Sequence, residues 1–273
     1  MKYHPIDSSL FISNRRNFSA KMKPNSLAVF NSNDIYPISA DSTMPFDQHR
    51  DIFYLSGVDQ EESVLVLFPD CPKEKHREIL FLKETSEHIA VWEGEKLTKE
   101  AAFKTSGVRT VYWLHDLEKI LFELSTQCDT FYINTNEHYR ANVETETRED
   151  RFTKWLLAKY PAHSVAKSNP ILQELRAIKD PIELDLMQQA CDITEKGFFL
   201  NPATNKQFEY QRFCRPHLWL VSHLPKQQYA HLFLLRIKFH DAFLLDSLEK
   251  GPTRFLLDRH HSNKKYLDVD QTA

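Results

Sequence analysis

Residues 50–82 read RDIFYLSGVDQEESVLVLFPDCPKEKHREILFL. Two short apolar runs, 64–68 and 79–82, flank the polar stretch PDCPKEK. Runs of this length, rich in Val, Ile and Leu and bounded by turn residues, predict strands buried on both faces. Ahead of Gly57, the run 52–55 is expected to be a third strand, with Phe53 and Leu55 on one face and Tyr54 on the other. Upstream, SLAVF (26–30) repeats the buried-strand pattern. Before it, residues 8–22 space Leu10, Phe11, Phe18 and Met22 as one helical stripe, which Pro24 and Asn25 stop. Downstream, 89–92 is expected to be a strand and LTKEAAFKTSG (97–107) a helix closed by its glycine. VRTVYWL and TFYIN give two further strands around the helix HDLEKILFELSTQ. Helices and strands interspersed in this way predict an α/β sheet domain.

Two helices follow. NVETETREDRFTKWLLAKY opens with acidic residues and closes with Lys, as the helix dipole favours. Asp180-Pro181-Ile182-Glu183 is a helix start, with Asp as N-cap, Pro at the first turn and Glu at the third position. Ile182, Leu186, Ala190 and Ile193 share a face of that helix, and Gly197 is expected to end it.

Composition excludes several functions. The chain has 273 residues, 41% hydrophobic and 27% charged, with net charge −3. That balance gives no general pull toward nucleic acid or acidic lipid, and neither is expected as a partner. No run of 18 apolar residues predicts a membrane span. The start, MKYHPIDSSLF, lacks the apolar core of a secretory leader, so a cytoplasmic location is expected. Four well-separated cysteines, Cys71, Cys128, Cys191 and Cys214, match no zinc spacing or disulfide framework. The five glycines stand apart, which rules out a phosphate-cradling Walker loop and a GxGxxG fingerprint. GxSxG is also absent.

The charge balance breaks near Gly197. Residues 1–197 carry a net charge of −7, whereas 198–273 carry +4 and six of the 13 histidines. Aromatic and apolar residues crowd the later segment without one period.

Several motifs, in order, carry a resemblance. Arg50-Asp51-Ile52-Phe53-Tyr54-Leu55-Ser56-Gly57 is similar to D-F-Y-Y-L-T-G, the signature of the Xaa-Pro aminopeptidases. These form the aminopeptidase P branch of the creatinase/prolidase "pita-bread" metallopeptidases. Val64-Leu65-Val66-Leu67 and Glu78-Ile79-Leu80-Phe81-Leu82 follow as in that family, and Val91-Trp92-Glu93-Gly94 resembles its W-x-G turn. Leu175-Arg176-Ala177-Ile178-Lys179-Asp180-Pro181-Ile182-Glu183-Leu184 resembles its L-R-x-I-K-x-x-x-E-I entry into the catalytic domain. The resemblance spans about 190 residues. It implies a mixed-sheet, creatinase-type N-terminal domain of ribonuclease H-like class over 1–170. A linker and the first pita-bread helix would occupy 171–197, and 198–273 would be an atypical tail.

The resemblance also implies a reaction, the manganese-dependent release of an N-terminal residue preceding proline. Two Mn2+ ions are expected in the full-length family enzyme, held by two Asp, one His and two Glu of the catalytic domain. No such ordered set follows Gly197, so neither metal ligands nor catalytic residues are assigned here, and this chain is expected to be inactive. Leu200-Asn201-Pro202-Ala203 stands where relatives carry Lys-Pro-Gly. CTT AAA CCC GGC encodes Leu-Lys-Pro-Gly and, one base later, Leu-Asn-Pro-Ala, so the tail is expected to be out of frame. The rival is an authentic short protein acting as an interaction or oligomerisation module.

Three residues are candidates for a substrate cleft or subunit interface: Trp92, Arg50 and Tyr54. The implied partners are a second copy or a neighbouring peptidase subunit and, in the intact enzyme, a proline-containing peptide. Each candidate has a plainer alternative. Trp92 could simply pack at a strand end, Arg50 and Asp51 could form a structural corner, and Tyr54 could be sheet packing. Adjacent His260 and His261 lack the i, i+4 spacing of a helical metal site, and the tail histidines read as accidental. Cys128 and Cys191 are expected to be core thiols. Arg15-Arg16 is expected on a solvated face, and Glu144, Glu146, Glu149 and Asp150 at a solvated helix start.

Overall fold

A computed structural model of the chain describes residues 5–86, 94–135 and 144–199. Residues Pro5–Ile182 form one compact unit, and Glu183 onward belongs to another. The elements of the first are helix α1 (Ser8–Ser19), strands β1 (Ser26–Asn31), β2 (Pro37–Ser39) and β3 (Ser42–Thr43), helix α2 (Arg50–Ser56), and strands β4 (Val64–Leu67) and β5 (Glu78–Leu82). Helix α3 (Lys99–Ser106), β6 (Thr110–Trp113), α4 (Leu117–Ser125), β7 (Thr130–Ile133), α5 (Arg148–Lys159), β8 (Ser164–Lys167) and α6 (Asn169–Ala177) follow. Helix α7 (Pro181–Phe199) leads into the second unit.

The main sheet has six strands in the order β6-β5-β4-β1-β7-β8, and β2 pairs β3 in a separate hairpin. β1 is antiparallel to β4, and β4 to β5, whereas β1–β7, β7–β8 and β5–β6 are parallel. The sheet is therefore mixed. β1 and β4 are buried along their whole length, which explains their unbroken apolar sequences.

Alternation along the strands builds two cores. One face carries Ala28, Phe30, Leu65, Leu67, Leu80, Leu82 and Tyr132, covered by Phe18 of α1, Ile52 and Leu55 of α2, Ala102 of α3 and Leu172 of α6. The other carries Leu27, Val29, Val64, Val66, Ile79, Phe81 and Phe131, covered by Ile120, Leu121 and Leu124 of α4 and Leu156 of α5.

The run 52–55 is helical, not a strand. His49 Nδ1 accepts from Asp51 N at the start, and Gly57, at φ +67°, ends the helix in the left-handed region. Residues 52–56 are all buried, and a short helix buried all round shows no 3.6-residue period for the sequence to reveal. Tyr54 is consequently a helix residue, and the strand alternation expected for it does not apply. Gly197 lies inside α7, which continues to Phe199. A glycine ends a helix only where it turns left-handed. The expected strand at 89–92 lies outside the described residues, as does the tail from 200.

Three expectations about burial are overturned. Arg15 is 0% exposed, locked between helix ends. Glu149 is buried rather than solvated, because it completes the hydrogen bonding of β1. Cys191 is exposed on α7, whereas Cys128, just past the end of α4, is buried as expected. The Asp180 N-cap stands: its Oδ1 accepts from Ile182 N at 2.9 Å.

Candidate functional site

The two best-matched motifs, 50–57 and 175–184, meet in space. Helix α2 starts where the backbone turns at His49, whose imidazole caps the helix. The Asp51 side chain is left at the positive end of the helix, where a carboxylate is favoured. Helix α6 brings Arg176 across to it, with Arg176 Nη1 2.7 Å from Asp51 Oδ1. Arg176 Nη2 donates to Arg50 O at 2.8 Å. The same guanidinium lies 4.9 Å from the centre of the Tyr54 ring, a cation–π contact. From the end of β7, Asn134 Nδ2 donates to Asp51 Oδ2 at 2.8 Å. The carboxylate only accepts, which fixes which way the amide points, and Asn134 Oδ1 then faces Ser168 Oγ at 3.0 Å, a hydroxyl shared with Ile133 O at 2.7 Å.

The electrostatics follow from this enclosure. Burial opposes the charge on Asp51, but Arg176, then His49, and the Asn134 bond outweigh it and hold the carboxyl below its usual value. Burial drives His49 down, more than Asp51 can raise it, with Arg176 and Arg50 adding to the fall. His49 is therefore neutral near pH 7, consistent with Nδ1 accepting the Asp51 N–H. At 3.7 Å from Asp51 Oδ2, it is a helix cap rather than an ionic partner. The resulting clasp is one carboxylate, one guanidinium and one amide, joining α2, β7 and α6. It positions backbone and carries no nucleophile.

Of the three candidate residues, Arg50 and Tyr54 come together at this clasp. Tyr54 is buried under Arg176. Arg50 turns outward, its guanidinium on both oxygens of Asp47 at 2.9 and 2.8 Å, so its carboxylate partner is not the adjacent Asp51. Trp92 lies outside the described residues. Sequence reasoning missed Arg176, Asn134 and His49. Arg176 stood inside a quoted motif, but nothing local linked it to Asp51.

No group of three or more His, Cys, Asp and Glu able to hold a metal occurs among the described residues. The side chains of the clasp do not fit a manganese pair either, since Arg176 and Asn134 already occupy both oxygens of Asp51. Among the described residues no helix is long and apolar enough to cross a membrane.

Comparison with known proteins fits this geometry. The chain is 26% identical over 190 residues to Xaa-Pro aminopeptidase of Escherichia coli K12, covering 69% of this chain and 43% of the relative. It is 25% identical over 194 residues to human Xaa-Pro aminopeptidase 3, covering 67% and 38%. Among solved structures, aminopeptidase P from E. coli in its low-pH form superimposes with a TM-score of 0.59 at 25% identity, over 69% of this chain and 43% of that one. The Pseudomonas aeruginosa aminopeptidase shares the fold at 22% identity, with a TM-score of 0.57 over 71% and 43%. The chain spans less than half the length of these relatives. Residues 11–132 match the family model for the aminopeptidase P N-terminal domain, and the N-terminal portion of the chain has the mixed-sheet fold of that domain.

Proposed function

We propose that the chain is the N-terminal portion of a Xaa-Pro aminopeptidase. The observation that supports this most is the match over 11–132, extended by Xaa-Pro aminopeptidase relatives across about 190 residues. In this reading 1–170 is the N-terminal domain, 171–197 the linker and first catalytic helix, and 198–273 an out-of-frame tail. The intact enzyme releases an N-terminal residue preceding proline, uses manganese and works in the cytoplasm. The described residues do not hold the metals. The part of the N-terminal domain is to shape a substrate cleft or subunit contact, with Trp92, Arg50 and Tyr54 as the residues nearest that role. As a 273-residue chain it should not cleave Xaa-Pro peptides.

Sequencing the DNA across codon 198 and about a kilobase beyond tests this. A second frame encoding Lys-Pro-Gly and then two Asp, a His and two Glu is the expected result. Absence of any such frame, or Mn2+-dependent cleavage by the 273-residue chain, would count against it.

A second reading is a non-catalytic interaction module. It is favoured by exposed Ile35, Tyr36, Ile38 and Met44 on and beside the β2–β3 hairpin. Stable co-purification with a full-length peptidase would support it, and a strictly monomeric chain would oppose it.

A further inference from the structure

Three side chains from the start of α5 reach back to the chain that leaves β1. Glu149 Oε1 accepts from Asn31 N at 2.8 Å, and Oε2 from Asn31 Nδ2 at 2.9 Å. Arg148 Nη1 donates to Ser32 Oγ at 3.1 Å, and Arg151 Nη2 to Asp34 Oδ1 at 2.6 Å. Asn33 Nδ2 donates to Asp47 O at 2.8 Å and ties the two ends of the excursion together. Between those ends stands the β2–β3 hairpin, where Met44 N donates to Tyr36 O at 2.8 Å. The root of the hairpin is thus gripped by one helical turn.

The Glu149 bond has a reason in the ladder. Ser32 N donates to Ser63 O on the β4 side, so by alternation the Asn31 N–H points to the β7 side. The β1–β7 register ends at Ala28–Tyr132, and no strand carbonyl continues it. A buried N–H without an acceptor is costly, and Glu149 supplies the acceptor.

Glu149 is 5% exposed, and among the described residues no cation pairs with it directly. Arg148, on the same helix, is turned to Ser32 and attracted first by Glu62 and Asp34 and less by Glu149, with Arg151 beside it. From α2, the charge of Asp51 bears on Glu149. Behind Asp51 stand Arg176 and His49. Burial without a paired cation, and a second carboxylate near by, disfavour the anion, and the two Asn31 N–H bonds offset that only in part. A half-turn of the Asn31 amide would present Oδ1 to a Glu149 O–H while Asn31 N still donates to the other oxygen.

We propose that the first turn of α5 is a proton-operated clamp on the root of the 32–47 hairpin: protonated Glu149 holds the root closed, and loss of that proton lets it open. Burial, with Asp51 adding to it, outweighs the two Asn31 bonds and the attraction of Arg148, and pushes Glu149 from 4.5 up to about 8. In the open form the carboxyl meets water and titrates at its ordinary value. Between those two values only the closed form keeps the proton. Closure is therefore fullest below about 4.5, weakens by up to about tenfold per pH unit toward 8, and levels off above it.

Hydrogen exchange on the full chain between pH 5 and 9, corrected for intrinsic rates, reads this out at the Asn31, Ser32 and Met44 amides. Protection in the wild type should fall by up to about tenfold per pH unit to about pH 8 and then level off, while Glu149→Gln stays flat. Titration of His49 is common to both proteins and cancels in their ratio. Parallel profiles for the two proteins, or unchanged wild-type protection across the range, would overturn the proposal. If Glu149→Gln does not fold, carbon-13 NMR of the wild-type Glu149 carboxyl decides: a midpoint near 8 supports the clamp, and one near 4.5 overturns it.

Discussion

Arg15 Nε donates to Glu78 Oε2 at 2.9 Å from a side chain that is wholly buried, and its Nη1 reaches two backbone carbonyls, Leu55 O and Ser106 O, each at 2.8 Å. Those carbonyls belong to the last turns of α2 and α3, the negative ends of two helices. One guanidinium from α1 therefore caps both helices and pairs with the edge of β5. Arg15→Ala would bury two unsatisfied carbonyls and remove the partner of Glu78. We expect a loss of about 2–6 kcal/mol, from two orphaned buried carbonyls at about 1–3 kcal/mol each, with part-exposed Glu78 adding little. Arg15→Lys should recover only part of it, since one ammonium cannot reproduce the planar fork. Urea denaturation measures both, and a loss under about 1 kcal/mol for Arg15→Ala would contradict the capping role.

Gly57 and Gly107 end the same two helices, at φ +67° and +73°, yet their substitutions should differ. A Cβ at Gly57 would lie 2.3 Å from Phe11 Cε2, and that ring is buried edge-on against Phe53. At Gly107 the neighbours are Cδ1 and Cγ1 of Ile12, both at 2.6 Å, on an exposed side chain with solvent to rotate into. Gly107→Ala should therefore cost only the left-handed strain of about 1–2 kcal/mol. Gly57→Ala adds an overpacking cost of about 1–3 kcal/mol. Thermal unfolding of the two variants side by side tests the order, and equal losses would refute the argument from Phe11.

What the sequence reveals about this molecule follows from how local each cause is. The runs 64–67 and 79–82 are legible because strands buried on both faces need nothing but apolar residues. SVAK in β8 and the two short hairpin strands are not. Their residues are mostly exposed, and backbone pairing alone defines them. Residues 52–55 mislead, since burial on all sides erases the period that separates helix from strand. Arg15 misleads for another reason: its partners lie 40, 63 and 91 positions away, and an adjacent pair of arginines looks solvated until the fold encloses one. The Asp51 and Arg176 motifs are both visible in the sequence, but only the fold joins them.

Thiol reactivity should separate the described cysteines. Cys128 is buried, and burial, with Asp129 adding to it, pushes its thiol up to about 12. Almost no thiolate is available there at neutral pH. Cys71 is fully buried, whereas Cys191 is exposed on α7. Native alkylation with iodoacetamide followed by peptide mapping should modify Cys191 and spare Cys71 and Cys128 until denaturant is added. Rapid labelling of Cys128 in the native chain would show that the α4–β7 connection is open.

The Asp51–Arg176 pair should show its worth through pH. Arg176 holds the Asp51 carboxyl below its ordinary value, so the wild type gains stability above about 3.8 and loses it as pH falls through the lower native value. In Arg176→Met the carboxyl keeps its burial and loses its main counterweight. Its native value then rises above that of the unfolded chain, and stability is lost as pH climbs. The penalty of Arg176→Met should accordingly be smaller near pH 3 than near pH 7, because the variant's carboxyl is protonated there and no charge is orphaned. It should reach about 3–5 kcal/mol near pH 7, the range for an orphaned buried charge. Adding Asp51→Asn removes that charge and should recover about 1–3 kcal/mol at pH 7, as a coupling energy in a double-mutant cycle. Urea denaturation of all four proteins at pH 3 and pH 7 measures this. A penalty independent of pH, or a coupling near zero, would mean that Arg176 serves as packing over Tyr54 and not as the counterion of Asp51.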